Sequence, residues 1–130
     1  MRKIEQQMLD AVKDKQDFKL QNTRVEVIDF PGIGSRVNVY LHDNLIFTLF
    51  DDKITFSHCG WRTNTTKSRL NALLCEFSDG CYLQQVKGDW FLIFDYKRRM
   101  INSSDEITLP RADYVINTEM WKNKPALEFS

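Results

Sequence analysis

The residue types best suited to binding chemistry stand close together in the middle of the chain, where an indole, hydroxyls and cations combine: Trp61, Arg62, Thr65, Thr66, Lys67 and Arg69. Apolar residues at helical spacing follow them, so these side chains occupy the predicted beginning of a helix. Free backbone N–H groups and the helix dipole allow such a beginning to bind a phosphate or a nucleotide. The alternative is structural: threonines that cap the helix, a tryptophan in the core and cations on a solvated face.

A second basic feature, Lys97, Arg98 and Arg99, follows an aromatic run at residues 90–94. Residues 61–99 hold seven basic and four acidic side chains, whereas residues 20–60 hold three and five. Aromatic strands beside basic loops commonly bind single-stranded nucleic acid through stacking and phosphate contacts. The run 90–94 is uniformly apolar, however, and this favours core packing over a wet stacking surface.

Arrangements for catalysis have weaker support. A thiolate–imidazole pair or a metal site could form from one histidine and three cysteines: His58, Cys59, Cys75 and Cys81. No two of them have the short spacing that zinc sites favour, and Cys75 falls in the apolar sector of the predicted helix. An Asp-x-Lys element, as in many metal-dependent nucleases, occurs at residues 51–53 and 95–97, but a nuclease needs further carboxylates at one metal. We therefore expect a protein that is not an enzyme and has no cofactor and no metal site.

The elements that must position these residues follow from hydrophobic periodicity. A period near 3.6 predicts helices at residues 3–16 and 61–77, and a period of two or a short apolar run predicts strands at 23–30, 36–42, 45–50, 54–59, 82–86 and 90–94. Short turns between most of these strands favour antiparallel pairing. The sequence thus predicts an α+β fold: an N-terminal amphipathic helix, a four-strand meander, a second helix and a β-hairpin, with an antiparallel sheet of about six strands.

The length of 130 residues is typical of a single domain. Within residues 1–130 we expect an N-terminal helix and connector at 1–20, an α+β body at 22–96 and an irregular tail at 97–130, with a further edge strand at residues 114–116 as one option. Prolines at 110 and 125 argue against long regular elements in that tail.

Charge and composition exclude some classes of function. Eighteen Lys and Arg balance eighteen Asp and Glu, which argues against a strongly basic nucleic-acid coat protein and against an acidic DNA mimic. No stretch has the roughly 18 consecutive apolar residues of a membrane span, and the first residues lack the apolar core of a signal peptide. With three cysteines at irregular spacing, these features predict a cytoplasmic protein with reduced thiols, in the host cell cytoplasm if it is encoded by a phage.

The middle of the sequence, roughly residues 22–94, resembles a family of short proteins encoded by tailed bacteriophages and their prophages. Three blocks carry the resemblance, at residues 22–25, 39–46 and 60–74. The longest block has the pattern Gly-Trp-x-Thr-x-Thr-Thr-Lys-x-Arg-Leu-Asn-Ala-Leu-Leu. The resemblance covers roughly half of the chain. It implies a phage origin and carries over no catalytic residue.

The resemblance and the neutral charge together lead to a functional hypothesis: a non-catalytic accessory protein that binds and blocks a host defence or nucleic-acid-processing complex, as anti-CRISPR proteins do. Its partner would be a host protein or nucleoprotein complex. Since Trp and Arg dominate binding hot spots, the expected contact residues are Trp61, Arg62, Thr66, Lys67, Arg69, Lys97, Arg98, Arg99 and Trp121, the last beside Lys122 and Lys124. The alternative is a single-stranded DNA- or RNA-binding protein that uses the basic region 62–99.

Overall fold

A computed structural model describes residues 2–102 and 105–112. It confirms the α+β fold with a six-stranded antiparallel sheet and adds a second antiparallel sheet of three strands. In chain order the elements are α1 Lys3–Lys13, β1 Phe18–Leu20, β2 Thr23–Phe30, β3 Gly34–Leu41, β4 Asn44–Leu49, β5 Lys53–Phe56, α2 Asn64–Phe77, β6 Tyr82–Val86, β7 Asp89–Phe94, β8 Lys97–Ile101 and β9 Ile107–Pro110.

The six-stranded sheet, called the large sheet below, has the strand order β1-β2-β3-β4-β5-β9. Strands β2 to β5 form the predicted meander. Strand β1 lies in the segment predicted to be a connector, and it pairs with β2 through Phe18 opposite Val25. Strand β9 lies in the segment predicted to be an irregular tail, and it pairs with β5 through Leu109 opposite Ile54. Both strands are too short to show a period, so pairing with a longer neighbour defines them.

The three-stranded sheet, called the small sheet below, has the order β6-β7-β8. The predicted hairpin of β6 and β7 therefore belongs to this second sheet. Lys97, Arg98 and Arg99 do not follow the strand as a loop but begin β8, because Asp95 and Tyr96 form a two-residue turn with φ of 49° and 62°. Positive φ at both central residues is the signature of a type I′ hairpin turn, and the Asp95-Tyr96 pair lacks the glycine that usually announces it.

Both helices and both sheets share one hydrophobic core. Helix α1 contributes Met8, Leu9 and Val12, whose spacing places them on one face, and each is at most 1% exposed. The predicted amphipathic N-terminal helix is thus part of the core. Helix α2 begins after Thr63, whose hydroxyl accepts the Thr66 N–H, so the cap stands ahead of the two threonines that were expected to provide it.

The predicted edge strand at residues 114–116 and the candidate contact residue Trp121 lie outside the described residues. In the part of the chain that the structure does describe, no helix is both long and apolar enough to cross a membrane.

Candidate functional site

A tight turn after β5 carries Trp61 outward. Cys59 and Gly60 adopt φ of 55° and 82°, the Gly60 N–H donates to His58 Nδ1 at 3.0 Å, and the Trp61 N–H donates to the His58 carbonyl oxygen at 2.8 Å. His58 is buried while the Trp61 side chain is 54% exposed. The buried histidine thus fixes the backbone that presents the indole. Trp61 is a surface residue, and its role in partner binding stays a prediction.

The two cations nearest Trp61 reach across to the small sheet. Arg62 Nη1 lies 3.5 Å from the Gly88 carbonyl oxygen in the β6–β7 turn, and Lys67 Nζ lies 3.5 Å from Gln85 Oε1 on β6. Beside them is a cavity of about 200 Å³, lined by Leu41, His42, Ile46, Trp61, Thr63, Thr65 and Thr66. Trp61, Arg62 and Lys67 of the predicted cluster therefore form a surface at the beginning of α2, and the other predicted members do not all belong to it.

Thr66 and Arg69 are buried, which corrects the expectation that they face a partner. Thr66 is 1% exposed and its N–H and hydroxyl contact the Thr63 hydroxyl at 3.2 and 3.0 Å. Arg69 is 3% exposed; its Nη1 donates to Glu5 Oε2 at 2.6 Å and its Nε donates to Thr23 Oγ1 at 3.1 Å. Arg69 therefore joins α2 to α1 and β2, and its charge is neutralised inside the protein.

The carboxylate of Glu5 completes this buried cluster. Glu5 Oε2 also accepts a hydrogen bond from the Ser68 hydroxyl at 2.5 Å. Burial by itself raises the pKa of the Glu5 carboxyl, but the hydrogen bonds from Ser68 and Arg69 outweigh burial, so the pKa lies below its ordinary value. Glu5 stays ionised near neutral pH and serves as the structural partner of Arg69.

The basic triplet of β8 is divided between the two faces of the small sheet. Register places Arg98 opposite Ile93 and Arg99 opposite the buried Leu92, so alternation points their side chains in opposite directions. The Arg98 guanidinium lies 4.9 Å from the centre of the Phe91 ring on the outer face. Lys97 is exposed next to the β7–β8 turn. The three cations therefore do not form one basic patch.

The outer face of the small sheet is an exposed apolar feature that sequence reasoning missed. It is formed by Tyr82, Gln84, Phe91, Ile93, Arg98 and Met100, which alternate with residues that face the core. Tyr82 is 49% and Met100 51% exposed. The run 90–94 was interpreted as covered on both faces, but Trp90 and Leu92 are buried whereas Phe91 and Ile93 are only half-buried. The signal was present in the alternation of β6, where exposed Tyr82 precedes buried Leu83.

The candidate catalytic residues do not converge. Cys59 Sγ lies 3.0 Å from the Leu45 carbonyl oxygen, Cys81 is buried with a thiol pKa raised by burial, and Cys75 is exposed rather than on the apolar side of α2. Burial, and then the charge of Arg62, lower the pKa of His58. Among residues 2–102 and 105–112, no three His, Cys, Asp or Glu side chains are grouped as metal ligands.

Comparison with known proteins adds one match. The sequence model of the Kyanoviridae Gp96 protein family matches residues 1–123. No curated protein and no solved structure matches the chain. The match covers both sheets and both helices, and it confirms the phage origin that the three sequence blocks implied.

Proposed function

The chain belongs to the Kyanoviridae Gp96 protein family, and from this phage origin we propose that it is a non-catalytic accessory protein. It binds a host defence or nucleic-acid-processing complex and blocks it, and its contact surface is the outer face of the small sheet. Inhibition of this kind requires only that the bound protein occupies its partner. The proposal rests on one structural observation, the exposed apolar side chains of that face.

These side chains form a continuous surface. Tyr82 stands opposite Ile93 and Phe91 opposite Met100, so cross-strand neighbours bring the apolar atoms together. At the end of β6, Val86 is 36% exposed and extends the surface toward the β6–β7 turn. Contiguous apolar surface of this kind on a small domain marks an interaction site more often than scattered exposed residues do. Tyr, Phe, Met and Arg are also the residue types enriched in the centres of protein interfaces.

The charges of this face favour a protein over a nucleic acid as its partner. Among the described residues of this face Arg98 is the cation, and it already lies over Phe91. Asp89, opposite Val86, adds a carboxylate at the other end of β7. Phosphate chains are bound by several cations acting together, and this face does not provide them. A partner with apolar side chains and one carboxylate opposite Arg98 would complement the face.

The surface at the beginning of α2, which carries Trp61, Arg62 and Lys67, lies next to this face. Arg62 contacts Gly88, which is two residues beyond Val86. A partner that covers the outer face and extends past the β6–β7 turn would meet the exposed indole of Trp61, a residue type common in binding hot spots. Trp61, Arg62 and Lys67 are therefore proposed as flanking contacts, and Arg98 as a central one.

The alternative, nucleic-acid binding by the basic region 62–99, has less support from the arrangement of these residues. Arg69 is buried against Glu5, and Arg98 and Arg99 point to opposite faces. A strand of nucleic acid could not contact all of these cations at once.

Site-specific crosslinking tests the proposed face. A photoreactive phenylalanine analogue is placed at Tyr82 on the face, or at Ile33 in the β2–β3 turn, which is 83% exposed and serves as the control position. During infection we expect position 82, and not position 33, to crosslink to one host protein, which is then purified as its complex. If position 82 crosslinks no more than position 33, the proposed contact face is wrong.

A pair of charge substitutions then tests inhibition. Met100→Asp places a carboxylate in the apolar face, while Ile33→Asp makes a similar change at an exposed site elsewhere. We expect Met100→Asp to weaken binding to the purified complex by at least about 30-fold, the effect of losing about 2 kcal/mol at a hot spot. Ile33→Asp should bind like the wild type. In a titration, inhibition should be complete near one molecule of this protein per host complex. If a smaller amount of the protein inactivated all of the complex over time, the protein would be acting as a catalyst instead.

A further inference from the structure

The large sheet has an outer face of a different character, turned away from the helices. Register places on it Lys19, Arg24, Glu26, Ile28, Phe30, Arg36, Asn38, Tyr40, Leu45, Thr48, Lys53, Thr55 and Thr108, and the Phe50 ring lies beside Arg36 and Lys53. We infer that this face binds single-stranded nucleic acid. The inference uses different residues from those of the proposed function and is independent of it.

Three of the four cations that the strands place on this face lie over an aromatic ring, and the fourth, Lys19, stands opposite Arg24 on β1. The Arg24 guanidinium is 3.9 Å from the centre of the Tyr40 ring, and the Arg36 guanidinium is 4.9 Å from the Phe30 ring and 5.0 Å from the Phe50 ring. Lys53 Nζ is 4.9 Å from the Phe50 ring. Unpaired bases stack both on aromatic rings and on guanidinium planes, and the same cations contact phosphates.

A row of polar side chains separates the two groups of stacked cations. In register across five strands stand Glu26, Asn38, Thr48, Thr55 and Thr108. The Thr48 hydroxyl lies 3.0 Å from Asn38 Oδ1, the Asn38 amide nitrogen lies 3.4 Å from the Tyr40 hydroxyl, and that hydroxyl lies 3.3 Å from Glu26 Oε1. Asn38 and Thr48, in the middle of the row, are buried and bonded to each other, so the groups that an occupant can reach are those of Glu26, Thr55 and Thr108 at its two ends. These are carboxylate and hydroxyl groups, which suit a polar occupant.

Charge complementarity points to a phosphate chain. The strands supply four cations to this face, three of them over rings, and one carboxylate, Glu26, which already contacts Arg24 at 3.3 Å. Two further carboxylates lie at the edges of this face, Asp51 against Gly34 and Glu106 beside Thr48 and Thr55. Arg36 and Tyr40 are four residues apart on β3, about 13 Å at strand spacing, so the stacked groups follow a line along which a nucleic-acid strand can extend.

The test is fluorescence anisotropy of labelled 20-nucleotide dT and rU strands with the full chain at 50 and 200 mM salt. Three phosphate contacts on a single strand predict that affinity falls about 20-fold between these salt concentrations. Arg36→Gln should weaken binding at 50 mM salt and reduce the salt effect to about 7-fold, the value for two contacts. Lys53→Gln, at an exposed position, should behave in the same way.

Arg98→Gln is the matched control, because Arg98 also lies 4.9 Å from a phenylalanine ring but belongs to the small sheet. It should bind both oligonucleotides like the wild type. The inference is overturned if neither oligonucleotide binds at 10 µM protein and 50 mM salt, or if Arg98→Gln loses as much affinity as Arg36→Gln and Lys53→Gln. Met100→Asp should leave oligonucleotide binding unchanged. The two proposals can therefore fail separately, since Met100→Asp tests only the protein contact and Arg36→Gln and Lys53→Gln test only nucleic-acid binding.

Discussion

The two sheets differ in whether the side chains on their outer faces have partners within the protein. On the large sheet, the outer face pairs cations with aromatic rings and joins its polar groups by hydrogen bonds, and the inner face is tied to both helices through Thr23, Glu5 and Arg69. On the small sheet, the inner face is packed by Trp90 and Leu92, while the outer face leaves apolar side chains in solvent.

This difference separates stability from protein recognition. The large sheet and its helices satisfy their own buried charges, so they can form a rigid support without a partner. The small sheet has an apolar surface that is exposed among the described residues and that a bound partner would cover. Three parts of the molecule should therefore respond differently to substitution: the buried cluster, the two faces of the small sheet, and the contact between the two sheets.

The largest expected effect is at the buried cluster. Arg69→Met removes the partner of a carboxylate that is 2% exposed, and leaving such a charge unpaired costs about 3–5 kcal/mol of the free energy of unfolding. Glu5→Leu together with Arg69→Met should recover most of the loss, because a buried ion pair replaced by apolar residues is often near neutral. Urea denaturation at pH 7 measures both values.

The exposed Arg62 provides the control for this substitution. Arg62→Met makes the same chemical change seven residues away and should alter the free energy of unfolding by no more than about 0.5 kcal/mol. If Arg69→Met were as mild as Arg62→Met, the cluster would not tie the helices to the large sheet.

The next effect separates the two faces of the small sheet. Leu92 is fully buried, and Leu92→Ala should lower the free energy of unfolding by about 2–5 kcal/mol through lost burial and the cavity that remains. Met100, about half exposed on the opposite face, should change it by no more than about 0.5 kcal/mol when replaced by alanine. A loss at Met100 comparable to that at Leu92 would mean that the outer face is packed within the isolated chain, against its proposed role.

Much of this fold could be predicted because its longer elements have clear periods. Alternation in β2 and β3 and the spacing of Leu70, Leu73 and Leu74 in α2 depend only on neighbouring residues, and the structure has these elements where the pattern indicates. The division into two sheets could not be predicted. It depends on β9 pairing with β5 and on the turn at Asp95 and Tyr96, and neither leaves a strong local signal.

The candidate site shows the same limit. Local spacing places Arg62, Lys67 and Arg69 together at the beginning of a helix, and from sequence they are equivalent cations. The fate of Arg69 is decided by Glu5, which is 64 residues away in sequence. Burial and pairing across such separations arise from packing, which a single sequence does not display.

The smallest expected effect concerns the contact between the two sheets. His58 follows β5 and meets Trp90 of β7 edge to face, with ring centres 5.2 Å apart. His58 Nδ1 accepts the Gly60 N–H, so the neutral ring carries its proton on Nε2, and in the described part of the chain neither His58 Nε2 nor Trp90 Nε1 has a hydrogen-bond partner. A charged imidazole would be costly there, and burial together with the charge of Arg62 lowers the pKa of His58 despite the opposing charge of Asp105.

A lowered pKa in the folded state fixes the sign of the pH dependence. Below the ordinary value of 6.5 the unfolded chain binds a proton at this histidine while the folded protein does not, so the free energy of unfolding falls as the pH falls below 6.5. The slope for one proton is at most about 1.4 kcal/mol per pH unit. His58→Asn keeps an acceptor for the Gly60 N–H and removes the titration. Urea denaturation between pH 7.5 and 5.0 should therefore give a shallower slope for the variant, whereas parallel slopes would mean that His58 is protonated in the folded protein as readily as in the unfolded chain.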